Sequence, residues 1–532
     1  MKSVVIVEMG SEEDSSSDHG RSVSDGGAHQ EAVKEKDWSN DVFPYDLGRR
    51  PLPSLRRSAG SLVEIEFEEG PVALLGRRRV PGFGNPWFFA DNDGQGFAAG
   101  AAVISFVCEA CRTRARDIRS LGSALQAEGM PVPSDILARL DEAEARADTT
   151  PDAALALAVA AGEDLVRAET AWREGGNAKP DFTLGICLKP FSNGGQPFKD
   201  AVAETFNAAT IPLTWGIVEP EPGKPRYDVI DEIVAWCAQQ GIRMKGHALI
   251  WHSFWERDSW HKNLNAEEFF QRSCARAREI MTRYANQFDI IELINEPVQA
   301  GFGWRPVEEA IRETVAVHDI VRERSPRTRV MINFYDEEET WFAKNCLFPR
   351  NEQSLIPVRE FIERCQARGA QVDILGLQRH LPCSLFDTRL AIEQWRRWFG
   401  LPIQMSELII PSSAEKPALQ TRNRPMQAPD RVWRDRPWSE QAQADWVAEF
   451  LPFFHVMPGV EGATFWGAAD AMTLWHDYLI GHVNERYRYP WMAFQGLLRE
   501  DFSRKPAYEQ VRRLSALWNL KDRRQAAGSC SR

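Results

Sequence analysis

From residue 182 onward, short apolar runs alternate with amphipathic helical stretches, and this alternation restricts the fold more than any other feature of the chain. The apolar runs have the length of buried strands. They begin near Phe182, Asn207, Ile242, Phe288, Arg329, Val372, Pro402 and Gly462. Strands that alternate with helices form parallel βαβ units. Eight such units over about 340 residues predict a closed (β/α)8 TIM barrel of the α/β class, which we place at residues 180–518.

Helix-boundary signals between these runs support the same architecture. Asn265 is followed three residues later by Glu268, a pairing that predicts the start of a helix. Gly400 ends another amphipathic stretch, as expected of a helix terminus. A doubly wound open sheet is the structural alternative. It would need a glycine-rich phosphate turn after the first strand, and residues 189–195 (KPFSNGG) lack that spacing.

The chain before residue 180 has a different pattern. Residues 1–40 are rich in Ser, Gly, Asp and Glu from residue 11 onward, and we expect them to form a disordered tail. Residues 41–179 are predicted to form a smaller mixed α/β module. In it, Val63, Ile65 and Phe67 alternate with glutamates, which predicts a half-buried strand, and residues 111–175 are mostly helical. Residues 519–532 are predicted to be a C-terminal tail.

Charge and composition exclude several classes of function. The chain has 64 basic and 76 acidic residues, and a net charge of −12 argues against nucleic acid as a partner. Apolar runs are too short to predict a membrane span. The first ten residues (MKSVVIVEMG) also hold too short an apolar stretch for a secretory signal, so the sequence as it stands predicts a cytoplasmic protein. Cys108 and Cys111 form a CxxC without a second pair, and we expect no metal and no cofactor.

Polar residues close most of the predicted barrel strands, at the end where TIM barrels carry their active sites. Packing alone does not require polar groups at these positions. The third to eighth strands end, in order, in His247, Trp251 and His252; Asn295 and Glu296; Asn333 and Tyr335; Gln378 and His380; Glu407; and Trp466 and Asp470.

Two carboxylates in this set, Glu296 and Glu407, lie on the fourth and seventh strands, nearly across the barrel mouth. Two carboxyl groups about 5 to 5.5 Å apart suit a retaining glycosidase, in which one protonates the leaving oxygen and the other attacks the anomeric carbon. Environment must then push their pKa values apart. Asn295 is placed to bond a sugar 2-hydroxyl, His380 to hydrogen-bond a carboxylate, and Trp466 to lie beneath a sugar ring.

Seven motifs, in this order, resemble glycoside hydrolase family 10, the endo-1,4-β-xylanases. They are GHALIWH, IELINE, MINFYD, LGLQRHL, MSEL, WGAAD and SRKPAY, and the resemblance covers about residues 182–518. It implies that Glu296 is the acid/base and Glu407 the nucleophile, and that Trp466 is the platform at the cleavage subsite. The other residues implied to contact sugar or support the carboxylates are His247, Trp251, Asn295, Tyr335, Gln378, His380 and Trp475. Trp475 comes one residue later than the family spacing.

The main departure from the family follows the second strand. The family carries a Glu-Asn-Glu-Met-Lys-Trp run there, which holds the sugar one step beyond the cleavage point on the non-reducing side. Residues 211–215 (IPLTW) correspond to it, are shorter and lack those polar groups. Smaller departures are Ile291, Ser406, Phe334 and Asp336, where the family has Trp, Thr, Asp and Asn.

The resemblance implies a retaining β-glycosidase acting by double displacement on a β-linked plant polysaccharide or oligosaccharide, with xylan as the expected substrate. Members of the family are usually secreted. Two alternatives stay open. One is a β-glucanase- or mannanase-type barrel enzyme. The other is a non-catalytic carbohydrate-binding protein on a hydrolase barrel, against which the retention of both carboxylates, Asn295 and His380 argues.

Overall fold

The computed structural model describes residues 3–9, 42–52, 54–68, 70–100, 102–175, 179, 181–192, 194–252, 260–297, 306–334, 356–379, 381–414, 432–470 and 494–521. The chain divides into two compact units. The first comprises Met1–Glu169 with Trp433–Asp435, and the second holds most of the chain from Thr170 onward. The predicted module boundary at residue 179 thus lies later than the observed division. Most of the predicted tail, residues 10–40, and the C-terminal residues from 522 lie outside the described residues.

The first unit contains two antiparallel-rich sheets and three helices within its described residues. One sheet has the order β3-β4-β1-β7 and the other the order β2-β5-β6. Their bounds are β1 Ser3–Glu8, β2 Val42–Tyr45, β3 Ser54–Ala59, β4 Leu62–Phe67, β5 Ala73–Arg77, β6 Trp87–Ala90 and β7 Ile104–Ser105. The helices are α1 Phe106–Ala127, α2 Ser134–Arg146 and α3 Pro151–Glu174.

Strand β4 is the one predicted from alternation, and Val63, Ile65 and Phe67 are buried in the core of the unit as expected. Its antiparallel partner β1 corrects the predicted tail, because Ser3–Glu8 was assigned to that tail and is a strand. The physical reason is a second short alternation, in which Val5 and Val7 are buried against the core.

The second unit is a closed barrel of eight parallel strands, in the order β8 to β14 followed by β17. Their bounds are β8 Thr183–Cys187, β9 Ala208–Pro212, β10 Arg243–His247, β11 Ile290–Asn295, β12 Arg329–Phe334, β13 Ile374–Leu377, β14 Ile403–Leu408 and β17 Val460–Phe465. Every one of these strands coincides with a predicted apolar run. The (β/α)8 prediction is confirmed, and the open sheet is excluded because β8 and β17 pair directly.

Helices separate the barrel strands along the chain. Their bounds are α4 Gly195–Thr205, α5 Trp215–Val218, α6 Tyr227–Gln239, a 3-10 turn Trp260–Asn263, α7 Ala266–Arg283, α8 Val307–Arg324, α9 Val358–Ala367, α10 Leu385–Phe399, α11 Glu440–Val456 and α12 Pro506–Leu517. Two short strands, β15 Val432–Trp433 and β16 Arg436–Pro437, form a small ladder of their own. None of the helices in the described part of the chain is long and apolar enough to cross a membrane.

The predicted helix boundaries are observed. Asn265 caps α7 by accepting a hydrogen bond from the Glu268 amide at 3.0 Å, and Glu268 accepts one from the Asn265 amide at 3.2 Å. Gly400 ends α10 with φ at +67°, a left-handed conformation that glycine adopts without steric cost. These caps hold helices whose preceding and following strands carry the site described next.

Candidate active site

Glu296 and Glu407 both lie at the carboxyl ends of barrel strands. Glu407 is within β14, and Glu296 directly follows β11. The backbone of Glu296 has φ at +53°, which is uncommon for a residue other than glycine, and its amide donates to the Asn333 carbonyl at 2.8 Å. That hydrogen bond ties the end of β11 to β12 and directs the Glu296 side chain away from the regular strand register.

The Glu407 carboxylate is held by two amide groups. Its Oε1 accepts hydrogen bonds from Asn333 Nδ2 at 2.9 Å and from Gln378 Nε2 at 3.1 Å. His247 Nδ1 lies 3.9 Å from the same oxygen. Only 3% of Glu407 is exposed. A buried oxygen that receives two N–H donors is the environment that an ionised carboxylate requires.

Glu296 has the opposite environment. Burial, and after it the negative charge of Glu407, raises the pKa of Glu296 to about 8. Hydrogen bonds from Trp251, Gln378 and Asn295 act against this shift without cancelling it, and the first of them joins Trp251 Nε1 to Glu296 Oε2 at 3.0 Å. Glu296 therefore carries its proton at neutral pH. Gln378 contacts both carboxyl groups, so a single amide side chain bridges the pair.

Below this pair lies a second group of charges, which we call the floor cluster: Glu292, Lys245 and His247. Glu292 Oε2 is 2.6 Å from His247 Nδ1, and Glu292 Oε1 is 3.0 Å from Lys245 Nζ. Burial raises the pKa of Glu292, but the charges and hydrogen bonds of His247 and Lys245 outweigh it and lower that pKa to about 2. The floor cluster therefore holds a carboxylate that is ionised at neutral pH.

Asn333 connects the floor cluster to both ends of the site. Its Nδ2 lies 3.1 Å from Glu292 Oε2, 3.0 Å from Asn295 Oδ1 and 2.9 Å from Glu407 Oε1. Ser406 Oγ donates to Asn333 Oδ1 at 2.5 Å, which orients the amide. Asn295 Oδ1 also accepts from Gln378 Nε2 at 2.7 Å, so its Nδ2 is the end left for other partners.

Trp466 follows β17 and forms one side of the site. The His247 ring meets it edge-on, with ring centroids 4.7 Å apart. Lys189 Nζ lies 3.7 Å from the centroid of the Trp466 ring, a cation–π contact. Burial lowers the pKa of Lys189 to about 8, although the nearby carboxylates of Glu407 and Glu296 act in the opposite direction.

A buried hydrogen-bonded group supports the segment that carries Trp251. The next residue, His252, has its Nε2 2.8 Å from Glu313 Oε2, and Ser273 donates to the other Glu313 oxygen. Ser273 and Glu313 belong to α7 and α8. The segment after β10 is thus anchored to two helices, which positions the indole that donates to Glu296.

The family model for glycosyl hydrolase family 10 matches residues 176–514 of this chain. The chain belongs to glycosyl hydrolase family 10. The family resemblance drawn from the sequence motifs is confirmed, and the matched residues contain all eight barrel strands and both glutamates.

Among relatives of this family 10 chain, endo-1,4-beta-xylanase 1 of Arabidopsis thaliana is 26% identical over 306 residues, which cover 56% of this chain and 30% of the relative. Endo-1,4-beta-xylanase C of Paenibacillus barcinonensis is 23% identical over 314 residues, covering 53% and 26%. This chain spans less than a third of the length of either relative. A solved GH10 endoxylanase retrieved from a sugarcane soil metagenome covers 63% of this chain and 98% of its own, with 19% identity and a TM-score of 0.48.

The structure brings together seven of the predicted family 10 site residues and adds others. The seven are His247, Trp251, Asn295, Glu296, Gln378, Glu407 and Trp466. Tyr335, His380 and Trp475 lie outside the described residues. Lys189, Lys245 and Glu292 were not predicted as site residues. For Lys245 and Glu292 a signal existed, since opposite charges stand in the middle of two strands that are neighbours in the predicted barrel.

The departure from the family 10 pattern after the second barrel strand has a structural counterpart. Ile211 and Leu213 are fully buried, and Trp215 is 5% exposed. The Trp215 ring stacks on His261 at 4.8 Å, and its Nε1 donates to Glu219 Oε2 at 2.8 Å. The segment therefore contributes packing, where the family pattern has a polar sugar-binding run. Within the described residues, no group of three or more His, Cys, Asp or Glu is arranged to hold a metal ion.

Proposed function

We propose that this protein hydrolyses the β-1,4 linkages of xylan or xylo-oligosaccharides with retention of anomeric configuration. The observation that carries the proposal is the pairing of Glu296, protonated at neutral pH, with Glu407, whose Oε1 accepts two N–H bonds. The names of its family 10 relatives support xylan as the substrate and internal cleavage as the mode of action.

In the first step, Glu407 attacks the anomeric carbon while the Glu296 proton passes to the leaving oxygen. The glycosidic bond breaks, and a glycosyl ester forms on Glu407. In the second step, Glu296 takes a proton from water, the resulting oxygen nucleophile attacks the anomeric carbon, and Glu407 is released as a carboxylate. Inversion at each step gives overall retention.

The same environment explains how Glu296 changes its role between the two steps. Part of the upward shift in the pKa of Glu296 comes from the negative charge of Glu407. That charge is absent while Glu407 is esterified, so the pKa of Glu296 falls and the group becomes a base. Trp251 and Asn295 hydrogen-bond Glu296 throughout, which keeps it in place for both proton transfers.

The test measures hydrolysis of an aryl β-xylobioside and of soluble xylan by the wild type, Glu407→Ala and Glu461→Ala. Glu461 lies at the opposite end of β17 and pairs with Arg329, so it is a matched glutamate outside the site. We expect Glu407→Ala to lower kcat/KM by about 10⁴-fold or more, Glu461→Ala to leave it nearly unchanged, and proton NMR to show the β-anomer as first product. Unchanged activity of Glu407→Ala would falsify the proposal.

Ile211 and Leu213 are buried where the family pattern has a polar sugar-binding run, which leaves open a second candidate, a β-glucanase or mannanase with the same chemistry. A panel of aryl cellobioside, mannobioside and xylobioside distinguishes the two. Hydrolysis that depends on Glu407 but is confined to the gluco- or manno-substrate would keep the mechanism and replace the substrate.

A further inference from the structure

Arg276 is a buried cation on helix α7 that the two-carboxylate mechanism does not use. Only 5% of it is exposed, and arginine is rarely buried to this extent unless its guanidinium is paired. Two of its partners are backbone carbonyls. Its Nη1 donates to the Leu249 carbonyl at 2.6 Å, and its Nη2 donates to the Leu213 carbonyl. One guanidinium thus connects two segments that are far apart in the sequence.

The two carbonyls belong to segments that follow neighbouring barrel strands. Strands β9 and β10 pair in regular register up to Pro212 and His247. After that pair, the Leu249 amide donates to a carbonyl of β11 instead of one of β9. Buried carbonyls need a donor, and the fork of the guanidinium supplies one each to Leu213 and Leu249. Arg276 therefore joins the two segments at the point where the pairing of their strands ends.

Leu249 lies close to the acid/base along the chain. Two residues later, Trp251 Nε1 donates to Glu296 Oε2 at 3.0 Å. The residue between them, Ile250, accepts a hydrogen bond from the Asn295 amide at 2.8 Å. The segment after β10 is therefore aligned with the end of β11 that carries Glu296. A shift of Leu249 would move the indole relative to the carboxyl group, because only one residue separates Leu249 from Trp251.

A second anchor of the same segment also comes from α7. Ser273 donates to Glu313, and the other oxygen of Glu313 is 2.8 Å from His252 Nε2. Ser273 and Arg276 are three residues apart, so they lie on the same face of the helix. Helix α7 thus holds the chain on both sides of Trp251, before it through Arg276 and after it through Ser273 and Glu313.

We propose that Arg276 is a positioning residue for the acid/base, because it fixes the segment after β10 and so keeps the Trp251 indole within hydrogen-bonding distance of Glu296. This role rests on the proposed function, in which Glu296 transfers the proton. Glu407 and Lys189 both interact electrostatically with Glu296, and a change at Arg276 leaves both charges in place. The expected effect is therefore that of weakening one hydrogen bond to Glu296.

The test compares Arg276→Met with Arg322→Met. Arg322 lies on helix α8 and donates to the carbonyls of Thr328 and Gln371, shortly before β12 and β13. Its replacement therefore removes similar contacts at the opposite end of the barrel. Because the hydrogen bond to Glu296 is weakened, we expect Arg276→Met to lower kcat/KM for the aryl xylobioside about three- to tenfold. Arg322→Met is expected to stay within about twofold of the wild type.

The pH profile separates a positioning role from a purely structural one. The Trp251 donor lowers the pKa of Glu296, so displacing that donor raises the pKa. The alkaline limb of the kcat/KM profile, where Glu296 loses its proton, is therefore expected to move to higher pH in Arg276→Met and to stay in place in Arg322→Met. A loss of packing alone changes the amount of folded protein and leaves the limb where it is.

A double-mutant cycle tests whether Arg276 acts through Trp251. In a Trp251→Phe background no indole donor is left to position, so Arg276→Met is expected to cost less than about twofold in kcat/KM and to leave the limb unmoved. Arg276→Lys keeps a cation, but its single nitrogen cannot match the fork of a guanidinium. We expect it to move the limb in the same direction by a smaller amount, and it replaces Arg276→Met in the cycle if that variant does not fold.

Three outcomes overturn this role for Arg276 alone. They are full activity of Arg276→Met, a loss of activity without a move of the alkaline limb to higher pH, and equal effects in the wild-type and Trp251→Phe backgrounds. A wild-type protein that cleaves none of the xylo-, gluco- or manno-substrates overturns the proposed function, and the role of Arg276 with it. The two failures are therefore distinguishable in a single set of assays.

Discussion

Glu292 and Glu296 lie four residues apart along β11 and its end, and the protein treats their carboxyl groups in opposite ways. In the floor cluster the pKa of Glu292 falls to about 2, and at the mouth of the barrel the pKa of Glu296 rises to about 8. Both groups are buried. The difference is therefore not burial but the neighbouring charge, which is a cation for Glu292 and a second carboxylate for Glu296.

This comparison separates what stabilises the barrel from what performs chemistry. An ionised Glu292 contacts Lys245 and His247, and its removal leaves the buried Lys245 ammonium without its carboxylate. A protonated Glu296 has a second carboxylate, Glu407, as its neighbour, and its own backbone has an unusual conformation with φ at +53°. Breaking the contacts of Glu292 is therefore expected to destabilise the barrel. The arrangement around Glu296, by contrast, lowers the stability of the folded protein while it is present.

The largest effect is expected for Glu292→Gln. The change leaves Lys245 and His247 without their carboxylate, and we expect the free energy of unfolding of the barrel to fall by about 3–5 kcal/mol. Denaturant unfolding followed by Trp fluorescence measures it. Glu461→Gln removes the half-exposed pair with Arg329 and should cost less than about 1 kcal/mol. Equal losses for the two variants would contradict a special role of the floor cluster.

Glu296→Gln tests the opposite case, a carboxyl group whose pKa is raised. The ordinary pKa of a glutamate is 4.5. Because the pKa of Glu296 is raised, the folded protein keeps a proton above pH 4.5 that the unfolded chain releases. Stability is therefore lost as the pH rises from about 4.5 to about 8, and glutamine removes that loss. We expect no gain at pH 4 and a gain of about 1–2 kcal/mol at pH 8. A constant gain at every pH would show that the carboxyl group is not the cause.

Trp251→Phe has the smallest expected effect and tests the hydrogen bond that opposes the shift. The Trp251 donor lowers the pKa of Glu296, so its removal raises that pKa further. We expect the alkaline limb of the kcat/KM profile, where Glu296 loses its proton, to move to higher pH, and kcat/KM at neutral pH to fall about three- to tenfold.

The control for that variant is Trp260→Phe, which removes a similar indole donor to the Glu219 carbonyl outside the site. It should leave the alkaline limb in place. A limb that moves equally in both variants, or towards lower pH in Trp251→Phe, would contradict the assignment of Trp251.

The barrel could be predicted from the sequence because each of its strands is buried on both faces and is followed by a helix of different periodicity. The grouping of Glu296, Gln378 and Glu407 could be predicted because all three lie at the ends of barrel strands. Lys245 and Glu292 were missed because a charge inside an apolar strand gives no sign of its partner until the neighbouring strand is placed beside it. Their pairing depends on the closeness of β10 and β11.

Lys189 and strand β1 could not be predicted for a different reason. Lys189 lies in a segment that was considered only as a phosphate-binding turn, and its contact with Trp466 joins residues far apart in the chain. The N-terminal strand β1 was assigned to a tail because its antiparallel partner β4 comes more than fifty residues later. In both cases the local sequence is compatible with a loop, and the tertiary partner determines the outcome.

Asn333 has two amide hydrogens, and three oxygens lie within 3.1 Å of its nitrogen. Two hydrogens cannot make full hydrogen bonds to three oxygens at the same time, so one of the three oxygens lacks one. In the proposed mechanism, the ester on Glu407 removes the negative charge of that carboxylate, so an amide hydrogen of Asn333 becomes available to Glu292 or Asn295 until the ester is cleaved. In the proposed mechanism, the hydrogen bonds that connect Glu407 to the floor cluster are therefore redistributed at a single amide nitrogen.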